Sequence, residues 1–210
     1  MFPNTLDSQT WKILQKIDEM PLLKEFYLAG GSATALQLGH RISRDIDFFT
    51  AKSFSIHELL QKLSTIEKPQ VRQEEPGTLT VIMGDIPMSF FEYKAKLLKS
   101  PISFKSVRIA SLLDIALMKL VSIAQRGARR DFVDLYYILQ NEKWLLKSLL
   151  TQIPEKYPQI DFPSYHFIRA LGFFDDAERD PPLQMLDEEY RWEKIVSFFK
   201  EESKSLIKNL

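Results

Sequence analysis

Residues 28–49 read LAGGSATALQLGHRISRDIDFF. The chain holds only 7 glycines, yet Gly30 and Gly31 stand side by side. Ser32 and a run of good helix formers follow, closed by Gly39. Just upstream, EFYLA reads as a short buried strand, so a strand turns through two glycines into a helix. Glycines let the backbone bend sharply and approach a ligand, and the free N–H groups of a helix N-terminus favour an anion. The Ser32 hydroxyl adds a group within reach of a phosphate oxygen. Further on, RDIDFFT is extended, so Asp45 and Asp47 share one face and Ile46 and Phe48 the other. Two carboxylates one residue apart repel each other. A divalent cation such as Mg²⁺ or Mn²⁺, with hard-oxygen preference and an affinity for phosphates, makes the pair favourable. The plain alternative is an exposed edge strand whose acids pair with Arg41 or Arg44.

The rest of the chain frames this stretch. Of 210 residues, 45% are hydrophobic, enough for a sizeable core. The 28 basic and 28 acidic side chains cancel, which argues against wholesale disorder and against overall polyanion binding. The cancellation is uneven along the chain. Lys94 to Arg130 carries nine Lys and Arg against the single acid Asp114, whereas Asp175 to Glu193 is strongly acidic. The basic block points to a polyanion. Cysteine is absent, which excludes disulfides and thiolate metal sites and fits a reducing cytoplasm. The N-terminal segment is polar and amphipathic rather than a signal peptide, and no apolar run reaches the roughly 18–20 residues of a membrane span. The expectation is a cytoplasmic protein without a membrane partner.

Trp11, Leu14, Ile17 and Met20 predict a first amphipathic helix capped by Asp7 or Ser8. Ser55 with Glu58 opens another. QVRQEE, TLTVIM and IPMSFFEY read as strands separated by turns at Pro76-Gly77 and Gly84-Asp85. Beyond residue 98 the pattern becomes helical: SLLDIALMKLVSIAQRG, capped by Ser111 and ending near Gly127, then ARRDFVDLYYILQ, EKWLLKSLLTQI, SYHFIRALGFF and a closing helix with Trp192, Ile195, Val196 and Phe199 inward. A mixed α/β part over residues 1–98 followed by an all-helical lobe over 99–210 is expected.

Lys119 lies within an apolar helical run, where an ammonium either snorkels to water or meets an anion. Arg130–Asp134 and Asp131–Asp134 have the spacing of neighbours on one helix face, the pattern of a salt-bridge cluster tying helices together. His40, His57 and His166 lack metal-like spacing and read as surface or partly buried polar residues. The aromatic pairs, Phe48-Phe49 and Phe90-Phe91 among them, read as core, with one ring available to stack on a base.

Gly-Gly-Ser, twelve residues and Asp-Ile-Asp resembles the first motif of the DNA polymerase β-like nucleotidyltransferase superfamily. The fuller wording AGGSATALQLGHRISRDIDFF is similar to the AbiEii/AbiGii-type abortive-infection toxins. The resemblance extends through Asp114, Lys119 and RDFVDLYY to the closing EEYRWEKIVSFF. It implies an α/β (α+β) fold, with a nucleotidyltransferase-like sheet followed by a helical lobe that completes the cleft. The implied activity is metal-dependent transfer of NMP from an NTP to an acceptor hydroxyl. In that carry-over Asp45 and Asp47 hold the metal. Gly30, Gly31, Ser32, Lys119, Arg126 and Arg130 hold the nucleotide, and Asp131 is the essential acid that orients Lys119 or acts on the acceptor. Related toxins modify tRNA and are silenced by a cognate antitoxin, so RNA is the implied acceptor and an antitoxin the implied partner. Two other outcomes are compatible with the residues: NMP transfer to a protein, and a non-catalytic nucleotide- or antitoxin-binding module. The superfamily's third carboxylate is missing, since Ser89 stands at its place, Glu92 falls on the opposite strand face and Asp85 sits in a turn.

Overall fold

Burial alternates strictly along Ile46–Thr50 (β2). Ile46, Phe48 and Thr50 are buried while Asp47 and Phe49 are partly exposed on the other face, the period of a strand with one side in a core. Tyr27–Ala29 (β1) is buried throughout and runs antiparallel to β2, with Ala29 opposite Asp47 and Tyr27 opposite Phe49. On the far side of β2 lies Ile86–Glu92 (β5), parallel to it, so that Asp47 stands beside Ser89 and Phe49 beside Phe91. The structure is a computed structural model that describes residues 1–18, 20–105, 107–159 and 163–208.

Gln70–Glu75 (β3) and Thr78–Met83 (β4) join β5 as an antiparallel meander, turning where Pro76-Gly77 and Gly84-Asp85 predict. Ile102–Phe104 (β6) and Val107–Ile109 (β7) extend the opposite edge. Among the described residues the sheet has seven strands in the order β3-β4-β5-β2-β1-β7-β6, with β7 parallel to β1. These last two strands correct the expectation of an all-helical region after residue 98. Each has three residues, too few to display a period of two, and pairing with β1 and with each other holds them extended.

The helical signals are met at most ends. Ser8–Asp18 (α1) begins where the Asp7 carboxylate accepts from the Thr10 N–H. Gly30–Leu38 (α2) ends at a left-handed Gly39. Ile56–Leu63 (α3) is capped by Ser55 through the Glu58 N–H, and Leu112–Arg126 (α4) by Ser111 through the Asp114 N–H. Arg129–Glu142 (α5) is followed by Leu146–Leu150 (α6), Ile153–Lys156 (α7), Ser164–Leu171 (α8), Asp175–Arg179 (α9) and Trp192–Lys208 (α10). α6 is shorter than EKWLLKSLLTQI predicts, because α5 runs on to Glu142 and Lys143 then turns left-handed.

α2 rests on β1 and β2 and packs against α4 and α5, which fixes the glycine bend relative to the helical wall. Phe48 and Phe90 stack at 5.3 Å on the buried sheet face, while Phe132 meets Phe174, Trp192 and Phe199 among the helices. Both regions belong to one continuous apolar cluster. Between the open face of β2 and β5 and the helices α4 and α5 lies a cleft of about 1040 Å³. Among the described residues no helix is long and apolar enough to cross a membrane.

Candidate active site

The glycine bend is fitted to the carboxylate beside it. Gly30 has a φ of +69°, and a Cβ there would lie 2.9 Å from Asp47 Oδ2. A Cβ on Gly31 would lie 2.5 Å from Arg41 Nη2 and 3.2 Å from Ser43 Oγ. Only glycine allows this backbone and these side chains to share the space. The first N–H groups of α2 have no acceptor within the helix, so the bend ends in free donors. Ser32 does not meet its expectation of a hydroxyl facing phosphate. It is fully buried, and its hydroxyl donates to the Asp45 carbonyl and contacts Ser43 Oγ at 2.9 Å. It fastens the chain that carries Asp45.

Asp45 immediately precedes β2 and Asp47 lies within it; both line the cleft. Burial first, and the neighbouring Asp45 second, push the Asp47 carboxyl up from 3.8 to about 6, against the pull of Lys119, Arg130 and Arg126. Neither carboxylate is locked to an arginine. Arg41, the partner proposed by the plain edge-strand alternative, turns instead to Asp134. Among the described residues no group of three or more His, Asp or Glu side chains forms a ready metal cluster. Two adjacent carboxylates, one held partly desolvated without a counter-ion, nevertheless suit a hard divalent cation that takes its remaining ligands from water and substrate phosphates.

Across the cleft stands a buried ionic network. Lys119 Nζ donates to Asp131 Oδ1 at 2.8 Å and to Asp134 Oδ2 at 2.7 Å. Burial alone would lower the Lys119 ammonium, but Asp131 and Asp134 hold it above its usual value. Asp131 also accepts from Arg126 Nε at 2.8 Å. Its burial is outweighed by Lys119 and Arg126, so its carboxyl stays low. Asp134 accepts from Arg41 Nε at 2.7 Å and Nη2 at 2.9 Å and contacts His40 Nε2 at 2.8 Å. Burial would raise its carboxyl too, but Arg41 and then Lys119 hold it well below the ordinary range. Lys119, Arg126 and Arg130 line the cleft, whereas Asp131 stands behind them.

Three expectations change here. Arg130 does not pair with Asp134, whose oxygens are filled by Arg41, His40 and Lys119, and so its guanidinium faces the cleft. His40 is neither exposed nor peripheral: it is buried and belongs to the network. Arg41, by sequence a possible partner of Asp45 and Asp47, instead bridges the glycine bend to α5. No local pattern announces that contact, because Arg41 and Asp134 are 93 residues apart.

The place of the absent third carboxylate is neutral. Ser89 lies beside Asp47, and its hydroxyl is 3.4 Å from Thr80 Oγ1. Glu92 pairs with Lys94 at the strand end, and bonds from Lys94 and Ser53 lower its carboxyl. Eight Lys and Arg against three acids line the cleft, so a polyanionic ligand is favoured there even though the whole chain is neutral.

A glycine bend at a helix N-terminus, paired carboxylates on the adjoining strand and a buried lysine facing them define a site of the nucleotidyltransferase class. The family model described as nucleotidyl transferase AbiEii toxin, type IV TA system, matches residues 12–205. The chain belongs to this AbiEii family and is a nucleotidyltransferase. The uncharacterized protein aq_aa25 of Aquifex aeolicus (strain VF5) is 36% identical over 211 residues, covering 97% of this chain and 98% of its own. JHP933 from Helicobacter pylori has a similar structure, with a TM-score of 0.55 and 17% identity over 98% of this chain and 94% of its own. The antibiotic-resistance factor ANT(2″)-Ia, solved with adenylyl-2″-tobramycin, has a TM-score of 0.52 and 18% identity over 71% of this chain and 97% of its own. At such identities the likeness is one of fold.

Proposed function

We propose that the protein transfers NMP from an NTP to a hydroxyl of RNA, with Mg²⁺ or Mn²⁺ held by Asp45 and Asp47. The observation that carries this reading is the Asp47 carboxylate, partly desolvated and set against the Gly30 bend, engaged in no ion pair but within the field of Lys119, Arg130 and Arg126. Asp45 and Asp47 would hold such an ion, which would supply charge neutralisation at the transferred phosphorus and the departing pyrophosphate. The bend at Gly30 and Gly31 and the side chains of Lys119, Arg126 and Arg130 hold the triphosphate. The acceptor hydroxyl oxygen bonds to the α-phosphorus and releases its proton to water, while the bond from the α-phosphorus to the bridging oxygen breaks and pyrophosphate leaves. Asp131 is a positioning residue, since its oxygens are occupied by Lys119 and Arg126. The sheet, which takes in β6 and β7 beyond residue 98, acts as the nucleotidyltransferase-like core, and the helices from α4 onward act as the lobe that closes the cleft.

Family membership supports a cytoplasmic, growth-inhibiting role restrained by a cognate antitoxin. The basic lining of the cleft supports RNA as the acceptor. The test is metal-dependent incorporation of labelled NTP in a whole-cell extract that holds both RNA and protein, followed by separate ribonuclease and protease digestion of the product. Label released by ribonuclease and lost in Asp45→Asn is the expected result. Label released by protease would make the acceptor a protein. NTP binding by calorimetry without turnover would make the chain a binding module. Induced expression should arrest growth for the natural sequence and spare it for Asp45→Asn.

A further inference from the structure

The two ends of the cleft differ in chemistry. On the Asp45 side of Asp47 lie the glycine bend, Arg41 and the Lys119 network. On the opposite side, one strand repeat of about 7 Å further along the same face, the sheet turns aromatic. Phe49 and Phe91 sit side by side on β2 and β5 with ring centroids 5.2 Å apart. Tyr93 stands edge-on to Phe49 at 5.5 Å, and its hydroxyl meets that of Tyr157 at 2.7 Å. Their sequence neighbours Phe48 and Phe90 are fully used in the core. Phe49, Phe91 and Tyr93 instead remain partly exposed and line the cleft. Ser89 and Thr80 stand level with Asp47 on the neighbouring strands, so the aromatic row is the next row along this face. Lys94 and Lys96 line the cleft at this end as well.

In phosphoryl and nucleotidyl transfer the attacking and leaving oxygens lie roughly in line across phosphorus. If pyrophosphate departs toward the glycine bend and Lys119, the acceptor approaches from the opposite end, where the rings are. We infer that Phe49, Phe91 and Tyr93 form an acceptor subsite that takes an unpaired RNA nucleobase by stacking; this rests on the nucleotidyl-transfer reading above. Rings left open to a basic cleft suit a base whose phosphates meet nearby lysines, and stacking on such rings tolerates any base. A paired base cannot enter, so the subsite selects single-stranded acceptors.

The probe is a short single-stranded RNA with fluorescent 2-aminopurine beside its free 3′ hydroxyl, and calorimetry with each Mg·NTP runs in parallel. The wild-type chain should quench the fluorescence. Phe91→Leu and Tyr93→Leu should lose the quench and bind this RNA roughly tenfold more weakly, with NTP affinity held within about twofold. Phe91→Tyr, which keeps a ring, should retain both and guards against a folding defect in the leucine variant. RNA affinity unchanged in both leucine variants would overturn the inference. A loss confined to NTP affinity would also overturn it, by giving the rings to the nucleotide's own base. Failure of the wild-type chain to bind any Mg·NTP removes the transfer reading itself, and calorimetry reports that separately.

Discussion

Asp47 is pulled two ways: the fold withdraws its carboxylate from water, and the proposed chemistry needs that carboxylate ionised. Its carboxyl titrates near 6 in the folded chain rather than near 3.8. A raised folded value means that its contribution to stability is fully present below about pH 4 and lost as pH rises through about 6. Asp131 and Asp134 have lowered values, so their contribution is present above the ordinary carboxyl value and lost only in stronger acid. Asp47→Asn should stabilise the metal-free chain at pH 7 by at most about 3 kcal/mol, seen as a higher melting temperature, while abolishing incorporation. Differential scanning calorimetry at pH 5 and 7 reads the first effect, and the gain should shrink at pH 5. Mn²⁺ affinity of the natural chain should weaken as pH falls below about 6, because protons compete for the same oxygens.

Individual elements carry the site through their ends. At the β1–α2 junction, Gly30 combines a left-handed backbone with close approach to Asp47. Gly30→Ala should cost about 1–3 kcal/mol in chemical denaturation and abolish metal-dependent labelling, because the added Cβ displaces Asp47 Oδ2. Asp134 ties α5 to Lys119 on α4 and to His40 and Arg41 after α2. Asp134→Asn leaves two buried cations short of a carboxylate, and about 3–5 kcal/mol of stability should go with it. A neutral pair at that place, Asp134→Leu with Arg41→Met, should recover part of the loss in the same denaturation series. Helix caps at Ser55 and Ser111 and the β3–β5 meander were readable because each signal lies within a few residues. β6 and β7 were not, since three-residue strands are made by their partners rather than by their own pattern.

At the scale of the whole molecule, one apolar cluster unites sheet and helices, so the cleft walls should unfold together. The neutral chain concentrates positive charge on the cleft, where cations outnumber acids. RNA affinity should therefore fall steeply with salt, with a log–log slope of about −0.7 for each phosphate contacted on a single strand, as fluorescence anisotropy between low and moderate NaCl would report. The residues that line the candidate cleft were readable in order: the Gly30-Gly31 bend, the Asp45–Asp47 pair and a lysine embedded in an apolar helix. Their partners were not. Only the packed structure decided that Arg41 serves Asp134, that Ser32 is buried behind the Asp45 strand, and that Phe49 and Phe91 open to the cleft while Phe48 and Phe90 close the core. Turns, caps and strand alternation depend on neighbours a few residues away, and the amino-acid order contains those. Ion pairs and desolvation depend on segments brought within about 3 Å from far along the chain, and only the assembled core supplies that proximity.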